Sequence, residues 1–228
     1  MDVIATEDLK AKSPRLAPDS DLIIPETLIK PVKQTDKFPE KQEELRCIFT
    51  KDPKYLLQYF KIREEAYRVT LGINKSVANI DDIDVRSHIA LLLKGEECLG
   101  GARITAADTT LDYELPLEEE NFRLKELLPD LDLENSMYGE YSRLALKEPF
   151  RDGKHCTKLY SAMNQKSRTL GLRYVFAIAP IPQARSYKYI YKRYFNLKIT
   201  IYDDIVVPYK PMYSHMDICL SMLDLQTE

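Results

Sequence analysis

Residues 137–179 constrain this chain more than any other stretch. Tyr138–Leu146 (YGEYSRLAL) reads as a buried strand, and a basic loop, FRDGK from Phe150 to Lys154, follows it. A helix over His155–Leu170 and a second apolar strand over Leu172–Ala179 complete a βαβ unit. The first strand is unusual because it carries two charges, Glu140 and Arg143, where apolar side chains are expected. Three residues apart in a regular strand, the two would point to opposite faces; a β-bulge would bring them together.

The rest of the chain arranges itself around this unit. Residues 1–44 are rich in Pro, Lys and acids and read as an N-terminal extension, with Leu22–Ile24 and Leu28 as its points of attachment; residues 45–228 form the domain. Leu45–Thr50 is a first strand. Asp52 and Pro53 supply an N-cap and a proline at the first helical position, opening a helix to about Leu71. Tyr59, Phe60, Ile62 and Ala66 give that helix a broad apolar stripe. After a connection holding Asp81, Asp82 and Asp84, the segments Ser87–Leu93 and Cys98–Thr105 form a hairpin. Asn121–Leu128 is a short helix stopped by Pro129. Past the βαβ unit, Pro180 and Pro182 precede a helix at Gln183–Phe195, and Ile199–Tyr202 and Met212–Leu223 are the last strands. The fold class is α+β, a mixed sheet flanked by helices.

Charge is unevenly spread. The net charge is −3, yet Lys147–Lys198 holds twelve Lys/Arg and two acids, against 21 basic and 34 acidic residues elsewhere. One face is therefore suited to an acidic partner, such as a carrier protein, a phosphopantetheine arm or a nucleic acid; a solvated helix face is the plainer reading. No apolar run reaches the ~18–20 residues that span a bilayer, and MDVIATEDLK has no signal-peptide core. Cys47, Cys98, Cys156 and Cys219 stand far apart, and the three histidines have no ligand spacing, so a reduced cytoplasmic setting without metal is expected. No nucleotide-binding fingerprint is present.

Four motifs carry chemistry: Arg63 with Tyr67 one turn later, Asp81-x-x-Asp84, Gly100-Gly-Ala-Arg103, and Glu140-x-x-Arg143. In this order, on these elements, they resemble the signature of the acyl-homoserine-lactone synthases, built on the GNAT-type N-acyltransferase fold. That family places a Trp about ten residues beyond the first Arg; here Ile73 stands there, and the chain has no Trp. The related long-chain N-acyl amino acid synthases, which acylate a free amino acid such as tyrosine from an acyl carrier protein, resemble the chain better.

The residues permit the same chemistry. Glu140 is a candidate general base, and Arg143 and Arg103 can orient it or bind a substrate carboxylate; a structural ion pair is the alternative. Arg63, Tyr67, Asp81, Asp84 and Ser142 are candidate substrate contacts. Arg63 is equally readable as a solvated charge, and the two aspartates as turn and cap residues. Arg151, Gly153, Lys154 and Lys158 surround a loop suited to a phosphate; GNAT enzymes that bind coenzyme A carry a glycine-richer loop, so by the resemblance the single Gly153 favours a phosphopantetheine arm over full coenzyme A, and Gly153 can also be there for a turn dihedral. Tyr187, Tyr191 and Tyr194 share a helical stripe that suits core packing. By the resemblance, Tyr191 and Tyr194 are candidates for the acid that protonates the leaving thiol, and no resident cofactor is expected. The alternatives are an acyl-homoserine-lactone synthase and a non-catalytic module that binds an acidic partner.

Overall fold

The computed structural model describes residues 44–71, 80–107, 113–118, 122–208, 213 and 216–226. The N-terminal extension up to residue 43, with its apolar attachment points, lies outside the described residues, as does Ile73.

Among the described residues, seven strands form one sheet. They are β1 (Leu45–Phe49), β2 (His88–Lys94), β3 (Glu97–Ala106), β4 (Tyr138–Leu146), β5 (Tyr174–Pro180), β6 (Ile199–Tyr202) and β7 (Ile218–Asp224), in the spatial order β1-β2-β3-β4-β5-β7-β6. Every pairing is antiparallel except β4 with β5, which is parallel. The helices are α1 (Pro53–Leu71), α2 (Asp82–Arg86), α3 (Leu124–Leu127), α4 (Gly153–Thr169) and α5 (Ile181–Phe195).

Local signals explain most boundaries. The Asp52 carboxylate accepts the Lys54 N–H at 2.8 Å and opens α1. Asp152 caps α4 through the His155 N–H at 2.9 Å. The first turn of α5 begins two residues earlier than the sequence suggests, at Ile181, because Pro182 falls where a helix needs no N–H donor. The connection that holds Asp81, Asp82 and Asp84 contains the short helix α2, α3 is only four residues long, and β7 starts at Ile218 rather than Met212.

The sheet has a core on each face. On one, α1 packs Tyr59, Ile62, Ala66 and Tyr67 against Leu91, Leu93 and Ala145, and the 113–133 region packs Leu115, Leu117 and Phe122 against Tyr138 and Phe176. On the other, α4 and α5 bury Leu159, Tyr160, Met163 and Tyr191 against Leu92, Leu146, Val175 and Leu223. The layers are α/β/α. Among the described residues no helix is long and apolar enough to cross a membrane.

The candidate active site

Strand β4 builds the site. Its pairing with β3 slips between Gly101↔Ala145 and Arg103↔Ser142, so Arg143 and Leu144 together face Ala102. This is the β-bulge that the Glu140–Arg143 spacing calls for, and Arg143 takes the left-handed conformation there, φ 58°. The extra residue resets the alternation. Glu140, Ser142 and Arg143 all reach the α1 face, while Tyr141, Leu144 and Leu146 reach the α4 face. The backbone of Gly101 and the Tyr59 ring close around the bulge. A Cβ on Gly101 would lie 2.3 Å from the Ala90 carbonyl and 3.2 Å from that ring, which is why no larger residue fits.

A chain of ion pairs runs up to the bulge. Arg63 donates to both oxygens of Asp84, at 3.1 and 2.9 Å. Arg103 Nη1 donates to Asp84 at 3.0 Å and to both oxygens of Asp81, at 2.9 and 3.1 Å, and its Nε donates to Ser142 at 3.1 Å. Arg143 Nη2 meets Asp81 at 3.1 Å. The two aspartates also form a capping box on α2, each side chain accepting the other's backbone N–H, at 2.8 and 3.2 Å. The ammonium of Lys51 then holds the carbonyls of Asp84, Val85 and Ser87 at the far end of α2. The Asp-x-x-Asp motif is thus both a cap and a bridge between three arginines. Burial alone would raise the Asp84 carboxyl, but Arg63, with Arg103 behind it, holds it below its usual range.

Glu140 stands at the other side of Ser142. It is buried, and one carboxylate oxygen accepts the Leu117 N–H at 2.9 Å. Desolvation raises its pKa, against the opposing pull of Arg103, the Leu117 amide, Ser142 and Arg143. A carboxylate made more basic in this way is a serviceable proton acceptor.

Glu140↔Phe176 is the last pairing between β4 and β5; beyond it the strands diverge. A cavity of about 580 Å³ fills the gap and passes through the sheet. On the α1 face its wall is polar, formed by Tyr67, Arg103, Glu140, Ser142, Arg143 and Tyr213. On the α4/α5 face it is apolar, with Leu144, Leu146, Met163, Val175, Ile190 and Leu223. The exposed lining residues Arg151, Asp152, Gly153, Gln183 and Ser186 mark its mouth, between the first turns of α4 and α5.

This arrangement can be set beside known proteins. The sequence matches no protein-family model and no curated protein. Solved structures do match. FeeM, an N-acyl amino acid synthase from uncultured soil microbes, aligns with TM-score 0.58 at 13% identity, over 80% of this chain and 91% of that one. The acyl-homoserine-lactone synthase LasI aligns with TM-score 0.57 at 15% identity, over 81% and 91%. An acetyltransferase of the GNAT family from Staphylococcus aureus aligns with TM-score 0.51 at 9% identity, over 80% and 100%. The fold is that of the GNAT-type acyltransferases. At these identities the likeness is one of fold, and the chemistry has to be argued from the residues.

Within this GNAT fold, the predicted site residues separate. Glu140, Arg143, Arg103, Ser142 and Tyr67 converge on the polar chamber. Asp81 and Asp84 stand behind them in the ion-pair chain. Arg63 is not a solvated charge. It is 0% exposed, lies over the Phe60 ring at 4.8 Å, and does not line the cavity, so it supports Asp84 instead of meeting a substrate directly. Tyr191 lines the apolar chamber, whereas Tyr194 is 55% exposed and lies beside Arg193, off the cavity. Tyr194 keeps the direction of the stripe but sits in the last turn of α5. Arg151 and Gly153 line the mouth and Lys154 is exposed beside them. Lys158 is elsewhere: one turn on, its ammonium bonds the Leu45 carbonyl on the edge strand β1.

The loop needs two further corrections. Gly153 has no positive φ, and a Cβ there would meet nothing within 4 Å, so neither dihedral nor packing calls for glycine. The first-turn amides are also partly used, since Asp152 accepts the His155 N–H and lies close to that of Lys154. Anion binding at this mouth therefore falls more to side-chain cations than to bare helix amides. We expect Gly153→Ala to leave the melting temperature unchanged or slightly higher, because alanine costs less backbone entropy. If the space over Gly153 belongs to the donor, the same variant raises KM for the acyl donor and leaves KM for the acceptor alone; steady-state kinetics with each substrate varied in turn checks this.

Among the lining residues that the sequence reading did not offer as site candidates are Tyr187, Cys156 and Tyr213. Tyr187 and Cys156 are at the mouth and Tyr213 is at the polar chamber. Tyr187 was visible as a member of the α5 stripe, but which tyrosine of a stripe meets a cavity depends on the splay of β4 and β5. Burial raises the Cys156 thiol, so it is a weak nucleophile. Among the described residues no cluster of His, Cys, Asp and Glu could hold a metal, and the four cysteines are free.

Proposed function

We propose that the protein is an N-acyltransferase that moves a long-chain acyl group from the phosphopantetheine thioester of an acidic acyl carrier protein to the α-amine of a free amino acid, an aromatic one such as tyrosine. The observation that carries this reading is the cavity that crosses the sheet, with a buried carboxylate on its polar side and an apolar chamber on the other. The acyl tail occupies the chamber on the α4/α5 side. The thioester lies in the gap between β4 and β5, and the amino acid enters from the α1 side with its carboxylate toward Arg143.

In this scheme the amine nitrogen attacks the thioester carbon, and Glu140 takes the proton the nitrogen sheds. The tetrahedral oxyanion is met by backbone groups along the diverging edge of β4. Its collapse breaks the C–S bond, and the thiolate leaves toward the mouth, where the Tyr187 phenol, neutral because burial raises its pKa, can supply a proton. The similarity to LasI supports a second reading, a lactone synthase that takes S-adenosylmethionine as acceptor.

The decisive experiment offers one long-chain acyl-carrier donor with each of the standard amino acids and with S-adenosylmethionine, and identifies products by mass spectrometry. An N-acyl amino acid supports the first reading; release of methylthioadenosine supports the second; no product with any acceptor sinks both. A matched acyl-coenzyme A donor tests the carrier. Equal kcat/KM for the two donors removes the case for a carrier protein.

Carrier docking is expected to be electrostatic, because exposed Lys154, Arg185 and Lys188 lie on the first turns that frame the mouth and on the helix behind it. The screening length falls from ~10 Å at 0.1 M salt to ~3 Å at 1 M, so kcat/KM for the carrier-bound donor should fall with salt. Lys154→Glu should raise KM for that donor far more than KM for the amino acid. Two unmoved KM values and a flat salt profile would mean that the carrier docks elsewhere.

A further inference from the structure

Tyr59 belongs to the apolar stripe of α1, is wholly buried, and does not line the cavity. Its hydroxyl nevertheless donates to the carbonyl of Arg143, the extra residue of the β4 bulge. Burial raises its pKa, so the phenol keeps its proton at neutral pH and can donate. The ring is fixed by its neighbours. Gly101 stands close beside it, the Phe60 ring packs at 5.6 Å, and the Arg63 guanidinium lies over it at 5.6 Å.

The register of β3 with β4 tells what that bond does to the strand. The Lys147 N–H donates to the Leu99 carbonyl at 2.8 Å, and the Ala107 N–H to the Tyr138 carbonyl at 3.0 Å. Bonded pairs in an antiparallel ladder recur at every second residue. Counted inward from both ends, Gly101 with Ala145 and Arg103 with Ser142 are the bonded pairs that flank the bulge. Leu144 falls between them, so its N–H is not turned to β3, and β5 has left β4 after Glu140. The peptide joining Arg143 to Leu144 is planar and trans, so its C=O and N–H point opposite ways. The carbonyl is drawn to Tyr59 on the α1 face. The N–H is therefore aimed away from α1, toward the gap whose wall Arg143, Leu144 and Ala145 form. Regular pairing would hold such a peptide by its neighbours; at the bulge, with Arg143 at φ 58°, the Tyr59 hydroxyl holds it.

We propose that Tyr59 is a positioning residue for the acyl carbonyl of the donor: its hydroxyl fixes the bulge peptide, and the Leu144 N–H so aimed donates to the thioester oxygen. This rests on the acyltransferase reading of the cavity and adds to it a residue that touches no substrate. A carbonyl held by that amide is polarised before the amine attacks, and the oxyanion meets a donor already in place. Phenylalanine would fill the same space with the same ring contacts, so packing alone does not call for the hydroxyl.

The test is to bind an S-acyl pantetheine thioester, isotope-labelled at its carbonyl carbon, to the whole protein without acceptor, and to read the carbonyl stretch by infrared difference spectroscopy. The band is expected at lower frequency in the wild type than in Tyr59→Phe. Turnover is measured alongside. In Tyr59→Phe, kcat should fall roughly tenfold, less than the ~10²–10³-fold cost of removing such a donor outright, while KM for both substrates stays within about twofold. Tyr55→Phe removes a hydroxyl from the same helix, one bound to Glu96, and should move neither reading. If Tyr59→Phe does not fold, the Leu144 amide of nitrogen-labelled wild type decides: its proton resonance should move downfield when the thioester binds. The same band in Tyr59→Phe as in the wild type, an unchanged kcat, a loss carried by KM alone, or an unmoved Leu144 resonance overturns the proposal. A thioester that binds with the shifted band and is transferred to no acceptor upholds it and counts against the acyltransferase reading alone; a thioester that does not bind overturns both.

Discussion

Glu140→Gln is expected to lower kcat/KM by ~10²–10⁴-fold, the usual contribution of a positioned base. The protein should remain folded, because glutamine keeps an oxygen able to accept the Leu117 N–H. Stability at neutral pH should hold or rise. Glu140 has its pKa raised by burial in the folded state, so its contribution to stability is fully present below the unfolded carboxyl pKa and is lost as pH climbs through the folded value. The neutral amide has no such loss. The pH profile separates a base from a prop. In the wild type the acidic limb of kcat/KM should lie above the ordinary glutamate range, and in the variant that limb should vanish. Near-wild-type turnover at saturating substrate, with the limb intact, would return Glu140 to a structural role and move proton removal to another group.

Asp84→Asn should be the most destabilising single change in the site, by about 3–5 kcal/mol, because it strands buried charges that were paired. Asp84 joins Arg63 and Arg103, all three almost wholly buried, whereas the neighbouring Asp81 is partly open to solvent. Asp81→Asn should therefore cost clearly less, although it sits in the same chain of ion pairs. Denaturant titration of the two variants checks the order; equal losses would mean that the network is screened throughout. The acid limb gives a second check. The folded-state pKa of Asp84 is depressed, so its contribution is present above the unfolded value of ~3.9 and disappears as pH falls through the lower folded value. Wild type should lose stability across that window, and Asp84→Asn should lose less there, having less to lose.

The fold was largely readable because its signals are local. The βαβ unit, the hairpin and the first helix all follow from apolar period, caps and turn residues. The bulge was readable for a different reason: Glu140 and Arg143 have the wrong parity to share a face, and only an inserted residue repairs it. Of the two readings of Arg63, a substrate contact and a solvated charge, burial excludes the second, and the information lay in its spacing. It falls four residues after Tyr59 and four before Tyr67, on the buried stripe of α1. A charge on such a stripe is expensive unless something pays for it, and the compensating Asp84 is 21 residues away. Lys158 and Tyr194 failed for the opposite reason. Each is near in sequence to a residue at the cavity; helix rotation carries Lys158 off it, and Tyr194 lies further along, in the last turn of α5.

The departure of β5 from β4 turns the sheet into a partition with a doorway. Under the proposed chemistry, tail and head group are sorted to opposite rooms and meet only at the threshold. The furnishings of the two rooms come from different parts of the chain: α4 and α5 on one side, α1, α2 and the 113–118 segment on the other. Strands β4 and β5 contribute to both. A lineage built on this plan can therefore exchange one substrate without retuning the recognition of the other.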